Sequence, residues 1–151
     1  MTLRPALTED APALAALHAA SFPAPWGGAE IADLMAGPGG FGLVVEMDGA
    51  PAGFILCRAL VGESEVLTLA VAPEVRGQGL GRVLMQAALG LACNAGAETM
   101  FLEVAADNVA ALALYRSLGF ERIGLRPGYY AHGKDGPVDA LVYRLSLNAP
   151  T

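Results

Sequence analysis

The stretch Val71-Ala72-Pro73-Glu74-Val75-Arg76-Gly77-Gln78-Gly79-Leu80-Gly81-Arg82 decides the reading of this chain. Before it lies Glu65-Val66-Leu67-Thr68-Leu69-Ala70-Val71, an apolar run with the length of one central strand, bounded by Gly62 and Pro73. After it, Leu80, Val83, Leu84, Ala87, Ala88 and Leu91 recur at helical spacing, which predicts a helix over Gly79 to Ala95 closed by Gly96. Between the two, glycines at 77, 79 and 81 permit close approach to the backbone, and the unpaired N–H groups of a helix start attract an anion. The segment therefore reads as a pyrophosphate cradle. Its G-x-G-x-G spacing is not the G-x-G-x-x-G of dinucleotide folds, and no Gly-Lys-Ser/Thr follows to make a P-loop.

Working outward, Phe41 to Met47 and Ala52 to Val61 are β-rich runs joined through Asp48-Gly49, a dipeptide that supplies positive φ to a tight hairpin. Ahead of them come a short strand near Leu3, a helix N-capped by Thr8 and reaching about Ser21, and a short helix from Ala29 to Met35. The intervening Phe22-Pro23-Ala24-Pro25-Trp26-Gly27-Gly28 holds two prolines and two glycines and reads as a loop carrying aromatics. Downstream, Thr99 to Val104 is strand-like, Val109 to Leu118 is helical up to Gly119, and strands follow at Glu121 to Leu125 and Val138 to Leu147. The Gly- and Tyr-rich Arg126 to Pro137 reads as a long loop. The order βαα, three strands, then αβαββ predicts a single mixed α/β domain over residues 1–151.

Composition narrows the function. With 54% hydrophobic and 16% charged residues the chain is built to bury a core. A net charge of −6 with 9 Lys+Arg argues against nucleic acid, whose binding needs clustered cations, and weakly favours a cationic substrate. Cys57 and Cys93 sit in apolar stretches without C-x-x-C spacing and read as buried hydrophobes; His18 and His132 are isolated, so no metal site is expected. No run suits a signal peptide or a membrane span, and a cytoplasmic location is the expectation.

Arg76-x-x-Gly79-x-Gly81, after a strand ending Ala70-Val71-Ala72-Pro73, resembles the acetyl-CoA motif of GNAT acetyltransferases. The likeness continues through Leu102-Glu103-Val104, Asp107-Asn108, Ala111, Ala113-Leu114-Tyr115-Arg116-Ser117-Leu118-Gly119-Phe120 and Arg126-Pro127-Gly128-Tyr129-Tyr130, a set similar to the RimI-type ribosomal-protein alanine N-acetyltransferases. It covers Glu65 to Leu145 and, more loosely, the N-terminal third. The resemblance implies a twisted mixed sheet of about seven strands flanked by about four helices and splayed to admit acetyl-CoA, a fold of packed layers. It also implies direct transfer of acetyl to an amine.

On residue type alone, Glu103 is either a carboxylate set at a cost inside an apolar strand or a solvent-facing strand residue. The resemblance implies the general base, taking the proton of the attacking amine directly or through a water. Tyr115 by spacing is either a core aromatic or a side chain turned partly away from the Leu114 and Leu118 pair; the resemblance implies a phenol that protonates the departing thiolate. Asn108 reads as the N-cap of its helix, to which the resemblance adds a contact to CoA. By the same likeness the cofactor is held by backbone groups of Leu69, Ala70 and Val71 and by Arg76, Gly77, Gln78, Gly79, Leu80, Gly81 and Arg82, with a backbone N–H polarising the thioester carbonyl.

Trp26, Tyr129 and Tyr130 are loop aromatics that need no explanation by themselves. In RimI-type enzymes the corresponding loops line the acceptor groove, which implies a protein N-terminus as acceptor, such as a ribosomal protein beginning with alanine. Pro127-Gly128 and Ala131 depart from the family pattern of Arg-Asn before and Pro after the tyrosines. A small-molecule amine acetyltransferase would use the same cofactor site, because the fold does not choose the acceptor. A silent acetyl-CoA-binding module is the remaining alternative, and the presence of both Glu103 and Tyr115 argues against it.

Overall fold

Three consecutive buried residues in a strand mean that both faces are covered, and this pattern organises the molecule. The computed structural model describes residues 1–133 and 136–147, with side chains left out at 131–133. Its strands are β1 (Thr2–Pro5), β2 (Gly40–Met47), β3 (Ala50–Leu60), β4 (Glu63–Val71), β5 (Thr99–Ala105), β6 (Glu121–Gly133) and β7 (Gly136–Ser146). The helices are α1 (Ala11–Ala19), α2 (Gly28–Ala36), α3 (Leu80–Asn94) and α4 (Val109–Ser117). One sheet runs in the order β1-β2-β3-β4-β5-β7-β6, antiparallel throughout except between β4 and β5. A parallel pair needs a crossover, which α3 supplies.

In β2, Leu43 and Val45 join the core beneath α3, and Val44 between them joins the core beneath α1 and α2. Phe54, Ile55, Leu56 and Cys57 in β3 alternate in the same way. By contrast β5 buries only Met100, Leu102 and Val104 and leaves Glu103 exposed, because among the described residues the core beneath α1 and α2 takes side chains from β2, β3 and β4 and none from β5. On that face the core beneath α1 and α2 stops at β4, and beyond it Ala140 is buried, Phe101 and Val142 are half-buried and Glu103 is exposed.

Two features position the site. Residue Leu67 has no partner across from β3, since Leu56 opposes Thr68 and Cys57 opposes Val66. This bulge turns β4 over, so that Val66 and Leu69 share one core while Leu67 and Ala70 share the other. Beyond the bulge the two parallel strands part: they pair only at Glu63, Ser64 and Glu65 against Thr99, Met100 and Phe101. The far halves of β4 and β5 diverge into a cleft.

The sequence pattern placed the element order correctly, including the Asp48-Gly49 turn with φ of 52° and 79° between the paired Met47 and Ala50. Gly96, at φ 92°, follows α3 as expected. Three readings are corrected. Thr8 is not an N-cap: it begins a 3-10 turn over Thr8–Asp10, and the Asp10 carboxylate accepts the Leu7 N–H at 2.7 Å while ion-pairing with Arg4, which holds that carboxyl below its ordinary range. Cys57 is buried, its thiol pushed up to about 12 by desolvation, but Cys93 is only half-buried. The loop expected at Arg126 to Pro137 is instead mostly strand, β6 continuing to Gly133 and pairing with β7 from Gly136, with register shifts that absorb Pro127 and Gly128; residues 134–135 lie outside the described residues. No helix among the described residues is long and apolar enough to cross a membrane.

A second two-residue turn, Val61-Gly62, joins β3 to β4 with φ of 44° at a fully exposed valine. A β-branched residue is strained there, so Val61→Asn raises the unfolding free energy by about 1 kcal/mol. A higher urea midpoint at unchanged slope is the expected reading; an unmoved midpoint would show that the turn carries no strain.

Candidate active site

The glycine loop leaves β4 through a 3-10 turn, Pro73–Val75, and meets α3 at Gly79. Gly77 and Gly79 both lie in the left-handed region, at φ of 80° and 81°, and a Cβ on either would meet nothing within 4 Å. Open space therefore fronts two backbone positions that only glycine adopts without strain. Gly81 is there for another reason: a Cβ would come within 3.2 Å of Leu114, so its absence lets α3 and α4 approach. The first intrahelical bond runs from the Val83 N–H to the Gly79 carbonyl at 3.1 Å, which leaves the preceding N–H groups of the first turn to a ligand.

Side chains around this loop divide by task. Arg76 donates through Nε to the Val71 carbonyl at 3.1 Å and through Nη2 to Ser21 Oγ at 3.1 Å, so it ties the loop both to the end of β4 and to the end of α1. Gln78 is exposed, and Arg82 bonds Ser117 on α4. Leu80, expected among the cofactor contacts, buries its side chain in the core, leaving only its backbone for a ligand. Leu69 and Val71 are half-buried and Ala70 is buried, on the strand that borders the cleft. Asn108 is the N-cap of α4, its Oδ1 accepting the Ala111 N–H at 3.2 Å.

Glu103 is not buried as an unpaired charge. Its side chain, one-third exposed, accepts a hydrogen bond from Arg126 Nη1 at 2.7 Å. That guanidinium in turn lies 3.8 Å from the centre of the Tyr129 ring. Tyr129 and Tyr130 meet edge to face at 5.1 Å; Tyr129 is half-exposed and Tyr130 half-buried. The Tyr130 phenol is held above its ordinary value first by burial, then by the nearby Glu103 carboxylate and by Tyr129, with Arg126 pulling the other way.

Tyr115 takes the core orientation of the two that its spacing left open. Rather than turning away from the apolar stripe of α4, it lies with Leu112 at the centre of that helix's buried face, while Leu114 and Leu118 are the partly buried flanks. Its ring meets Phe120 edge to face at 5.9 Å. Burial raises its phenol well above the ordinary value, with smaller contributions from Cys57 and Tyr130. Tyr130 thus connects the two candidates for proton transfer: Glu103 raises its phenol, and it in turn raises that of Tyr115.

On the other side, Trp26 is anchored by a residue that its isolation in the sequence concealed. The backbone N–H of Trp26 donates to His18 Nδ1 at 3.0 Å, and the two rings stack at 4.8 Å and 15°. Burial lowers the His18 value, partly offset by Glu30, which keeps the accepting nitrogen neutral. The signal was available: Ala11, Leu14 and His18 fall at helical spacing and are the buried residues of α1. Ser21 and Arg126 had no such signal, because their partners are 55 and 23 residues away. A separate hollow of 320 Å³, lined by Arg58, Leu60, Glu63, Ser64, Glu65 and Phe101, opens where β4 and β5 still pair and contains none of the candidate residues.

Residues 11–120 match the acetyltransferase (GNAT) family. Over 101 residues, 67% of this chain and 68% of the relative, the sequence is 37% identical to the [ribosomal protein bS18]-alanine N-acetyltransferase of Escherichia coli K12. It is 55% identical over 74 residues to the uncharacterised Mycobacterium leprae protein ML0378, a match that spans 48% of this chain and 20% of that protein. Among solved structures, that of the ribosomal-protein-S18-alanine N-acetyltransferase from Escherichia coli superposes with a TM-score of 0.91 at 31% identity, covering 99% of this chain and 96% of the other.

Proposed function

Because this chain belongs to the acetyltransferase (GNAT) family and is an acetyl-CoA-dependent N-acetyltransferase, we propose that it acts in the cytoplasm as a single domain on the N-terminal α-amine of a protein, such as a ribosomal protein beginning with alanine. The observation that carries this reading is the cleft where β4 and β5 part, with the open backbone at Gly77 and Gly79 following β4 and Glu103 on β5 meeting Arg126, Tyr129 and Tyr130. The residues present fit acetyl-CoA. The loop from Arg76 to Arg82 offers the pyrophosphate its amides, with Gly77 and Gly79 leaving the space that phosphates need. The backbone groups of Leu69 to Val71 that β3 does not pair suit the pantetheine amides, the Val71 carbonyl excepted because Arg76 holds it, and Asn108 adds its exposed amide nitrogen while its oxygen caps α4.

Acetyl-CoA supplies the acetyl thioester; the residues around it manage protons. Glu103 accepts the proton that the acceptor amine gives up, since only the neutral amine is a nucleophile. Tyr115 holds a proton at its hydroxyl for the leaving sulfur. Burial makes that phenol a weaker acid, so it keeps its proton until the thiolate departs. Trp26, Tyr129 and Tyr130 border the acceptor's approach, with Trp26 fixed by His18.

An α-amine, with a pKa of about 7.7 to 8.0, is roughly one-tenth neutral at pH 7, whereas lysine near about 10.4 is neutral in about one molecule per few thousand. One partly exposed carboxylate is enough for the first and poor for the second. The test is mass spectrometry of a peptide carrying a free N-terminal alanine and an internal lysine after incubation with the protein and acetyl-CoA. Modification at the α-amine is expected. Acetylation mainly at the lysine, or of neither amine while a polyamine reacts, would overturn the proposed acceptor.

A further inference from the structure

Arg126 stands where an acceptor's positive charge would go. Its strand β6 is separated from β5 by β7, and Arg126 opposes Ala140 while Glu103 opposes Val142. With strands about 4.8 Å apart, the guanidinium must reach across β7 to meet the carboxylate, on the face where Ala140 is buried and Val142 half-buried. Both partners are partly exposed, at 50% and 33%, so the ion pair is wet and readily exchanged. The Tyr129 ring, 3.8 Å below the guanidinium, gives it a second resting place independent of Glu103.

We propose that Arg126 is a positioning residue that sets charge at the acceptor site: it occupies Glu103 until an ammonium replaces it, and, retained on Tyr129, it keeps a positive charge beside that ammonium. A neighbouring cation disfavours the ammonium and favours the neutral amine that attacks. This inference rests on the reading of Glu103 as the proton acceptor. The other ionisable groups around the pair are Tyr129 and Tyr130 on β6, Tyr115 on α4, Glu65 on β4 with its partner Arg58, and Asp139 and Arg144 on β7. Asp139 is engaged, accepting the Gly128 N–H at 2.8 Å. Arg144 opposes Phe101, two residues back along β5 from Glu103, and among the described residues the bond to Glu103 comes from Arg126.

The consequence separates KM from kcat. Without the guanidinium the ammonium binds Glu103 more tightly but releases its proton less readily. In the intact protein, Arg126→Gln is expected to lower the acceptor KM several-fold. It should also move the midpoint of the kcat–pH profile up by about one unit, which slows turnover about tenfold at pH 7 and converges on the parent rate at alkaline pH. Arg126→Lys should restore most of the profile, and acetyl-CoA affinity by calorimetry should be unchanged in both. The acceptor is a lysine-free peptide with N-terminal alanine, followed by CoA release from pH 6 to pH 9.5. A uniform loss of kcat at every pH, or an unmoved profile with unchanged KM, would overturn the role of Arg126. Glu103→Gln is assayed in parallel: if it is slow while Arg126→Gln behaves as the parent, only the Arg126 proposal falls. Parent-like turnover in Glu103→Gln removes the proton-acceptor reading and this inference with it.

Discussion

Glu103→Gln turns over a peptide acceptor about 10² to 10⁴ times more slowly than the parent protein at neutral pH, while its acetyl-CoA affinity stays close to the parent value. The substitution keeps size and shape and removes only the ability to hold a proton. It also breaks the ion pair with Arg126, but Glu103 is one-third exposed and Arg126 half-exposed, so the fold loses little. Steady-state rates with calorimetry separate the two properties, and a thermal melt close to the parent's excludes unfolding as the cause. Equal turnover at every pH would remove Glu103 from the chemistry. The effects of Glu103→Gln and Tyr115→Phe should not add if the two residues serve one step.

Gly79→Glu abolishes measurable binding of acetyl-CoA at concentrations that saturate the parent. At φ 81° any side chain is strained, a cost of about 1 to 2 kcal/mol that Gly79→Ala isolates. The Cβ itself meets nothing within 4 Å, so the protein has room for the new side chain. What it has no room for is a carboxylate beside a pyrophosphate at a helix N-terminus, where the site is built to receive negative charge. Calorimetry should therefore rank the parent first, Gly79→Ala next and Gly79→Glu last. Parent-like affinity in a folded Gly79→Glu would put the phosphates elsewhere.

Local requirements were legible in the sequence and long-range ones were not. The left-handed turns at Gly77, Gly79 and Gly96 declare themselves because few other residues adopt that backbone. The helix α3 was legible from spacing, although its buried side is Leu80, Leu84, Met85, Ala88 and Ala92, and Leu91 from the expected stripe is 44% exposed. The start of β6 was legible, but its continuation past Leu125 was hidden by Pro127 and Gly128, which break strands unless a neighbour such as β7 tolerates a shift of register beside them. The orientation of Tyr115 stayed open between two readings because a nine-residue helix offers too few turns to fix its buried face. The bond between Glu103 and Arg126 depends on the insertion of β7 between their strands, which no local pattern announces.

The parting of β4 and β5 gives the molecule something most sheets avoid, a pair of strand edges in the interior of the sheet rather than at its rim. Along Val66–Val71 and Leu102–Ala105, the amides directed into the gap depend on solvent for a partner when it is empty. Their neighbours in each strand remain bonded to β3 or β7. In deuterated buffer these segments should therefore exchange in alternation, one fast and one slow. An extended guest lying in the gap would act as a temporary eighth strand and erase that alternation, so occupancy can be read from backbone protons without any turnover.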